Sequence, residues 1–83
     1  MKKYQDIVFL QESEADEAMT IEHNNGLQAL CNYLKQWDNG DNDGNISIES
    51  PAGTTDFIYE IDGYLLSINY GVPYVGLSKI IEQ

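Results

Sequence analysis

The sequence contains no arginine and only four lysines, against 14 aspartates and glutamates, which gives a formal net charge of −10. Proteins that bind nucleic acid neutralise its phosphates with clustered lysine and arginine, but from Tyr4 to Ser78 the only lysine is Lys35. We therefore expect no direct binding of nucleic acid and no binding to anionic membranes. A negative field instead favours encounter with basic protein surfaces.

Long apolar runs and cysteine pairs are also missing. The apolar run Ile7 to Leu10 covers four residues, which is too short for a signal peptide or for the roughly 20 residues of a membrane span. Cys31 is the only cysteine, so it forms no intramolecular disulfide, and it lacks neighbours at zinc-ligand spacing. These features predict a cytoplasmic protein without a cofactor.

The hydrophobic fraction of 42% is enough for one core, and a chain of this length has room for only one. We expect residues 1–83 to form a single acidic domain. Its first strand is predicted at Ile7 to Leu10, because the run is β-favourable and ends at a polar residue. A first helix is predicted from about Glu14 to Glu22, with Ser13 as its capping residue and a break at His23 to Gly26.

A second helix is predicted by an apolar stripe with the spacing i, i+3, i+4, i+7 and i+10. The stripe consists of Leu27, Leu30, Cys31, Leu34 and Trp37. Asn24 or Asn25 can cap the start of this helix, and Asn39 with Gly40 can end it.

A β-hairpin is predicted around Asp62 and Gly63, because this dipeptide separates two β-rich runs, 57–61 and 64–69. The register then pairs Ile61 with Tyr64, Tyr59 with Leu66 and Phe57 with Ile68, so that six apolar side chains share one face. After a turn at Gly71 and Pro73, residues 74–81 supply a third strand, with Gly76 as a bulge or a point of close contact. The predicted fold class is α+β: two short helices packed on a small antiparallel sheet, in which a three-stranded meander is joined by an N-terminal strand.

The loop 39–50 resembles the calcium loop of an EF-hand. Its candidate ligands are Asn39, Asp41, Asp43 and Asn45, with Gly44 at the turn position. The bidentate glutamate that closes an EF-hand is replaced by Ser50, and the exit helix is lost at Pro51. The pattern favours a surface turn, and a weak calcium-binding module remains the alternative function.

A second group of candidate site residues consists of carboxylates. Glu14, Asp16, Glu17 and Glu22 lie on the predicted first helix, where they are candidates for binding lysine and arginine side chains of a partner. The other interpretation is a solvated face that only confers solubility.

Signs of catalysis are weak. His23 is the only histidine, it lies at the predicted helix break, and no serine or cysteine stands in a recognisable nucleophile motif. We expect a non-enzymatic binding protein with no catalytic residues. Tyr70 and Tyr74, beside the predicted turn, are candidates for an exposed aromatic anchor.

Several segments resemble a group of small acidic bacterial proteins without an established activity, some of them associated with phages and mobile elements. The segments are Tyr33-Leu34-Lys35-Gln36-Trp37-Asp38-Asn39-Gly40, Gly53-Thr54-Thr55-Asp56 with Tyr59, Asp62-Gly63-Tyr64-Leu65-Leu66, and Asn69 and Gly71 with Tyr74-Val75-Gly76-Leu77. The resemblance implies a shared fold over about residues 27–81. A mobile-element origin would imply counter-defence or inhibition of a basic nucleic-acid-binding enzyme by mimicry of nucleic acid, and a toxin-immunity protein would show the same features.

Overall fold

The computed structural model describes residues 3–38, 46–47 and 57–82. In chain order the elements are β1 (Lys3–Gln11), α1 (Glu12–Asn25), α2 (Leu27–Leu34), a 3₁₀ turn (Lys35–Trp37), β2 (Ile46–Ser47), β3 (Phe57–Ile61), β4 (Tyr64–Asn69) and β5 (Tyr74–Glu82). The strands form one antiparallel sheet in the order β2-β1-β5-β4-β3. Two helices packed on this sheet make an α+β fold, as the sequence predicted.

The hairpin β3–β4 has the predicted register. Ile61 pairs with Tyr64, Tyr59 with Leu66 and Phe57 with Ile68. The connecting Asp62 and Gly63 have φ angles of 54° and 82°, the left-handed values that a two-residue hairpin turn requires and that aspartate and glycine tolerate. At the outer end of the strand Phe57 is 44% exposed, so it covers the edge of the apolar face and not its centre.

The first strand is longer than predicted and lies inside the sheet. β1 pairs with β5 from Lys3–Glu82 to Gln11–Tyr74, with irregularities between Lys3 and Tyr4 and between Asp6 and Val8. β5 in turn pairs with β4 through its other edge. The predicted meander is therefore present, and β1 completes it on the β5 side.

The helix boundaries differ from those predicted. α1 begins directly after β1, where Glu12 adopts a φ of 55° and its backbone N–H donates to the carbonyl of Pro73 at 3.2 Å. Ser13 lies inside the helix and does not cap it. The break falls at Gly26, whose φ of 94° separates the helices. α2 starts without a side-chain cap, so neither predicted asparagine caps it.

The core lies between the helices and one face of the sheet. The predicted stripe contributes Leu30, Cys31 and Leu34, each fully buried. Trp37 was expected on the same stripe but is 37% exposed. The chain tightens into a 3₁₀ turn after Leu34, and the indole meets the ring of Tyr33 edge-on, with centroids 5.5 Å apart. The sheet and α1 supply the remaining buried members, which are Leu10, Ala15, Ala18, Leu66, Ile68, Val75 and Leu77.

The opposite face of the sheet contains a close contact at Gly76. This glycine pairs with Phe9 on β1 and with Ser67 on β4. A Cβ atom at position 76 would lie 2.7 Å from Cδ1 of Phe9 and 3.2 Å from Oγ of Ser67. The phenyl ring thus occupies the space that a side chain would need, which confirms the predicted close contact, and the register shows no bulge there.

Gly76→Ala is expected to destabilise the protein by about 1 kcal/mol, because displacement of the Phe9 ring outweighs the lower flexibility of alanine in the unfolded chain. In a Phe9→Ala background the same substitution should become neutral or stabilising. Urea unfolding of the wild-type protein, the two single variants and the double variant measures the effect of Gly76→Ala on the free energy of unfolding in both backgrounds. Gly71→Ala is the matched control, since a Cβ there meets only Oδ1 of Asn69 at 3.6 Å, and equal effects at both glycines would contradict the assignment.

Candidate functional site

The predicted partner-binding carboxylates all lie on α1, but they do not form one face. Glu14, Asp16 and Glu17 are exposed, whereas Glu22 is half-buried. A rotation of about 100° per residue places Glu14 and Glu17 on one flank of the helix and Asp16 on the other. Glu22 lies on the side of the helix that turns toward the sheet, next to the stripe of the buried Ala15 and Ala18.

The ion pairs of the described residues involve carboxylates outside α1. In the described ranges the ion pairs are Lys3–Glu82 at 3.1 Å, Lys35–Asp62 at 2.9 Å and Lys79–Asp38 at 3.3 Å. All three involve the sheet or the segment after α2. None of these lysines neutralises α1, which carries five acids in residues 12–25.

Part of this acidity stabilises the helix itself. Glu12 and Glu14 lie in the first turn of α1, where negative charge is favoured by the exposed backbone N–H groups and the helix dipole. Asp16, Glu17 and Glu22 lie beyond that turn, so this explanation does not extend to them.

A groove runs between α1 and the turn 70–73 that joins β4 to β5. It is open to solvent along its length and has a volume of about 490 Å³. Its lining residues are Asp16, Met19, Thr20, Glu22, His23 and Tyr70, and we call it the α1 groove. Two of the four predicted acids, Asp16 and Glu22, are therefore brought together here, and Glu14 and Glu17 are not among the lining residues.

The two walls of the groove are joined by a hydrogen bond from the phenol of Tyr70 to the carboxylate of Glu22. This bond is the main cause that raises the pKa of Tyr70 to about 12, with burial second. The turn beside it is ordered by Oδ1 of Asn69, which accepts from the backbone N–H groups of Gly71 and Val72 at 3.0 Å each. The position of Tyr70 relative to α1 is thus fixed by its hydrogen bond to Glu22 and by the ordered turn that carries it.

Tyr70 also supplies exposed aromatic surface. It is 47% exposed, and its ring meets that of Phe57 edge-on with centroids 5.4 Å apart. Val72, on the same turn, is 73% exposed. Tyr74, the other candidate anchor, is stacked on Phe9 at 5.9 Å. Of the two tyrosines, Tyr70 is the one that lies beside carboxylates in a groove.

A second polar cluster surrounds Asp38 and Asp62. Asp38 accepts a 2.5 Å hydrogen bond from the phenol of Tyr64 and pairs with Lys79. Asp62 accepts from Lys35 at 2.9 Å and from Gln28 at 2.6 Å, and these two bonds, Lys35 first, lower its pKa. Because each carboxylate here is paired with a lysine and also accepts from a neutral donor, the cluster ties the hairpin to α2 and its negative charge is largely neutralised.

The candidate calcium ligands Asn39, Asp41, Asp43 and Asn45 lie outside the described residues. Within the described ranges no group of three or more metal-ligating side chains comes together. The calcium site therefore stays a prediction.

No protein-family model, curated protein or solved structure matches this chain. None of the described helices is long and apolar enough to span a membrane.

The two tyrosine–carboxylate bonds predict loss of stability in alkali. The pKa values of Tyr64 and Tyr70 are both raised from 10.0 to about 12 in the folded protein. Their stabilising effect is therefore complete below pH 10 and is lost as the pH rises through about 12. The free energy of unfolding, measured with urea, should fall across this window.

The control is the double variant Tyr64→Phe with Tyr70→Phe. It should be less stable near neutral pH and should lose less stability in alkali. Lys35, whose pKa is raised mainly by its hydrogen bond to Asp62, should maintain a residual slope. An unchanged pH dependence in the double variant would show that the phenols do not cause it.

Proposed function

We propose that this protein is a non-enzymatic binding protein that engages a basic protein surface through α1. The observation that carries the proposal is the separation of charge within the fold. The three described lysines pair with acids on the sheet and after α2, and five carboxylates remain concentrated on one 14-residue helix.

Such a helix acts at two distances. At long range its field, added to the net charge of −10, accelerates encounter with a cationic partner. At contact its carboxylates accept charge-assisted hydrogen bonds from lysine and arginine. The partner class that we propose is a nucleic-acid-binding enzyme, because such enzymes carry clustered basic side chains. Occupation of that cluster would inhibit the enzyme, as expected of a counter-defence or immunity protein.

The test is capture of binding proteins from host lysate at about 0.1 M and about 1 M salt, where charges are screened over about 10 Å and about 3 Å. A basic protein should be retained at low salt and released at high salt. Its affinity should then fall about tenfold or more when Glu14, Asp16, Glu17 and Glu22 are replaced together by their amides.

A charge-matched comparison separates α1 from net charge. Glu14→Gln with Glu17→Gln removes two charges from α1, and Glu60→Gln with Glu82→Gln removes two from the sheet. The α1 pair of substitutions should lower the affinity for the captured partner more than the sheet pair does. Binding that is insensitive to both salt and the α1 substitutions would refute the proposal.

A further inference from the structure

We propose that the α1 groove is the anchor point of this interaction, and that it binds a peptide segment in which two cationic side chains flank an apolar one. The inference rests on the proposed function. It adds which part of the acidic surface makes the contact, and which chemistry the partner must present there.

The first argument is the arrangement of Asp16, Met19 and Glu22. Successive members are three positions apart, so Met19 lies midway between the two carboxylates both along the helix and around it. The carboxylates are separated by about 9 Å of axial rise and about 120° of rotation. They bracket an apolar centre, and a complementary ligand places a cation at each end and an apolar group between them.

The second argument is the character of the groove centre. Met19 is half-buried and packs against the core. Its unbranched thioether adapts to varied apolar shapes, and methionine is common at binding surfaces for that reason. The Thr20 hydroxyl beside it already donates to the backbone carbonyl of Asp16 at 2.9 Å. The centre of the groove therefore favours an aliphatic side chain over a polar one.

The third argument is the aromatic wall at the Glu22 end. The phenol of Tyr70 is bonded to Glu22, and its ring contacts Phe57. A carboxylate accepts at about four lone-pair positions, so Glu22 retains capacity for a second donor. A lysine or arginine at this end would meet both the carboxylate and the exposed ring, a combination that binds cations well. Because the ring is already held, little side-chain entropy is lost on binding.

The negative charge of the chain favours a basic peptide segment over a second copy of this chain as the occupant of the α1 groove. Another copy would bring a further net charge of −10 to an acidic surface, whereas a basic segment relieves the repulsion among the α1 carboxylates.

The probe is an acetylated peptide Gly-Arg-Gly-Leu-Gly-Arg-Gly, whose extended backbone presents the leucine and both arginines on one face. It is titrated into the ¹⁵N-labelled full chain at low salt and followed by NMR. Amide signals of residues 16–23 and 70–72 should shift together. The same peptide with citrulline for arginine, which has similar shape but no charge, should produce no comparable shifts. A peptide with glycine for leucine should bind more weakly, because it leaves Met19 uncovered.

Two double variants of equal charge provide the decisive comparison. Asp16→Asn with Glu22→Gln should raise the Kd for the arginine peptide about tenfold or more, whereas Glu14→Gln with Glu17→Gln should raise it less than about threefold. Thr20→Lys gives an independent check, since it places a cation at the groove on an exposed helical position and should abolish binding. Thermal unfolding verifies that each variant is folded.

Equal losses in the two double variants would overturn the groove assignment and leave the acidic-surface function standing. The groove assignment would also fail if the shifts centred elsewhere, or if the peptide did not bind while the captured partner remained dependent on salt and on α1. Salt-independent capture of the natural partner would refute both proposals.

Discussion

The pairing of β5 along both of its edges is the constraint on which the rest of the structure depends. Through β4 it holds the hairpin, and through β1 it fixes the start of α1, because no linker separates β1 from the helix. The pair Gln11–Tyr74 brings Glu12 beside Pro73, where the two backbones are hydrogen-bonded. The turn 70–73 therefore lies alongside α1, and both walls of the α1 groove follow from one strand register.

The parts of the fold that the sequence predicted are those determined locally. Alternating apolar residues on both sides of Asp62 and Gly63 leave one register in which a single face is buried, and the structure has that register. The apolar stripe likewise predicted the buried face of α2 correctly up to Leu34. The predictions at Ser13 and Trp37 were wrong. A contact distant in sequence starts α1, and Trp37 lies beyond the end of α2, where its ring contacts Tyr33 and stays partly exposed.

The candidate site was predictable only in part. Its acids were identified as a group, but the rotation of α1 divides them between the groove and the opposite flank. The hairpin register implies that Tyr70 continues the face of Ile68 and lies diagonally across from Phe57, so this aromatic contact was open to prediction. The bond between Tyr70 and Glu22 was not, since it requires the position of α1, which depends on the pairing of β1 with β5.

That pairing also governs the order in which the molecule can assemble. Residues 3–11 have their long partner strand at residues 74–82, whereas β3, β4 and β5 follow one another closely. Loop closure favours the nearby contacts first, so we expect the meander to form first and β1 to dock late. During synthesis β1 and the acidic helix must wait for nearly the whole intervening chain to emerge, and until then the exposed edge of β1 is at risk of pairing with another molecule.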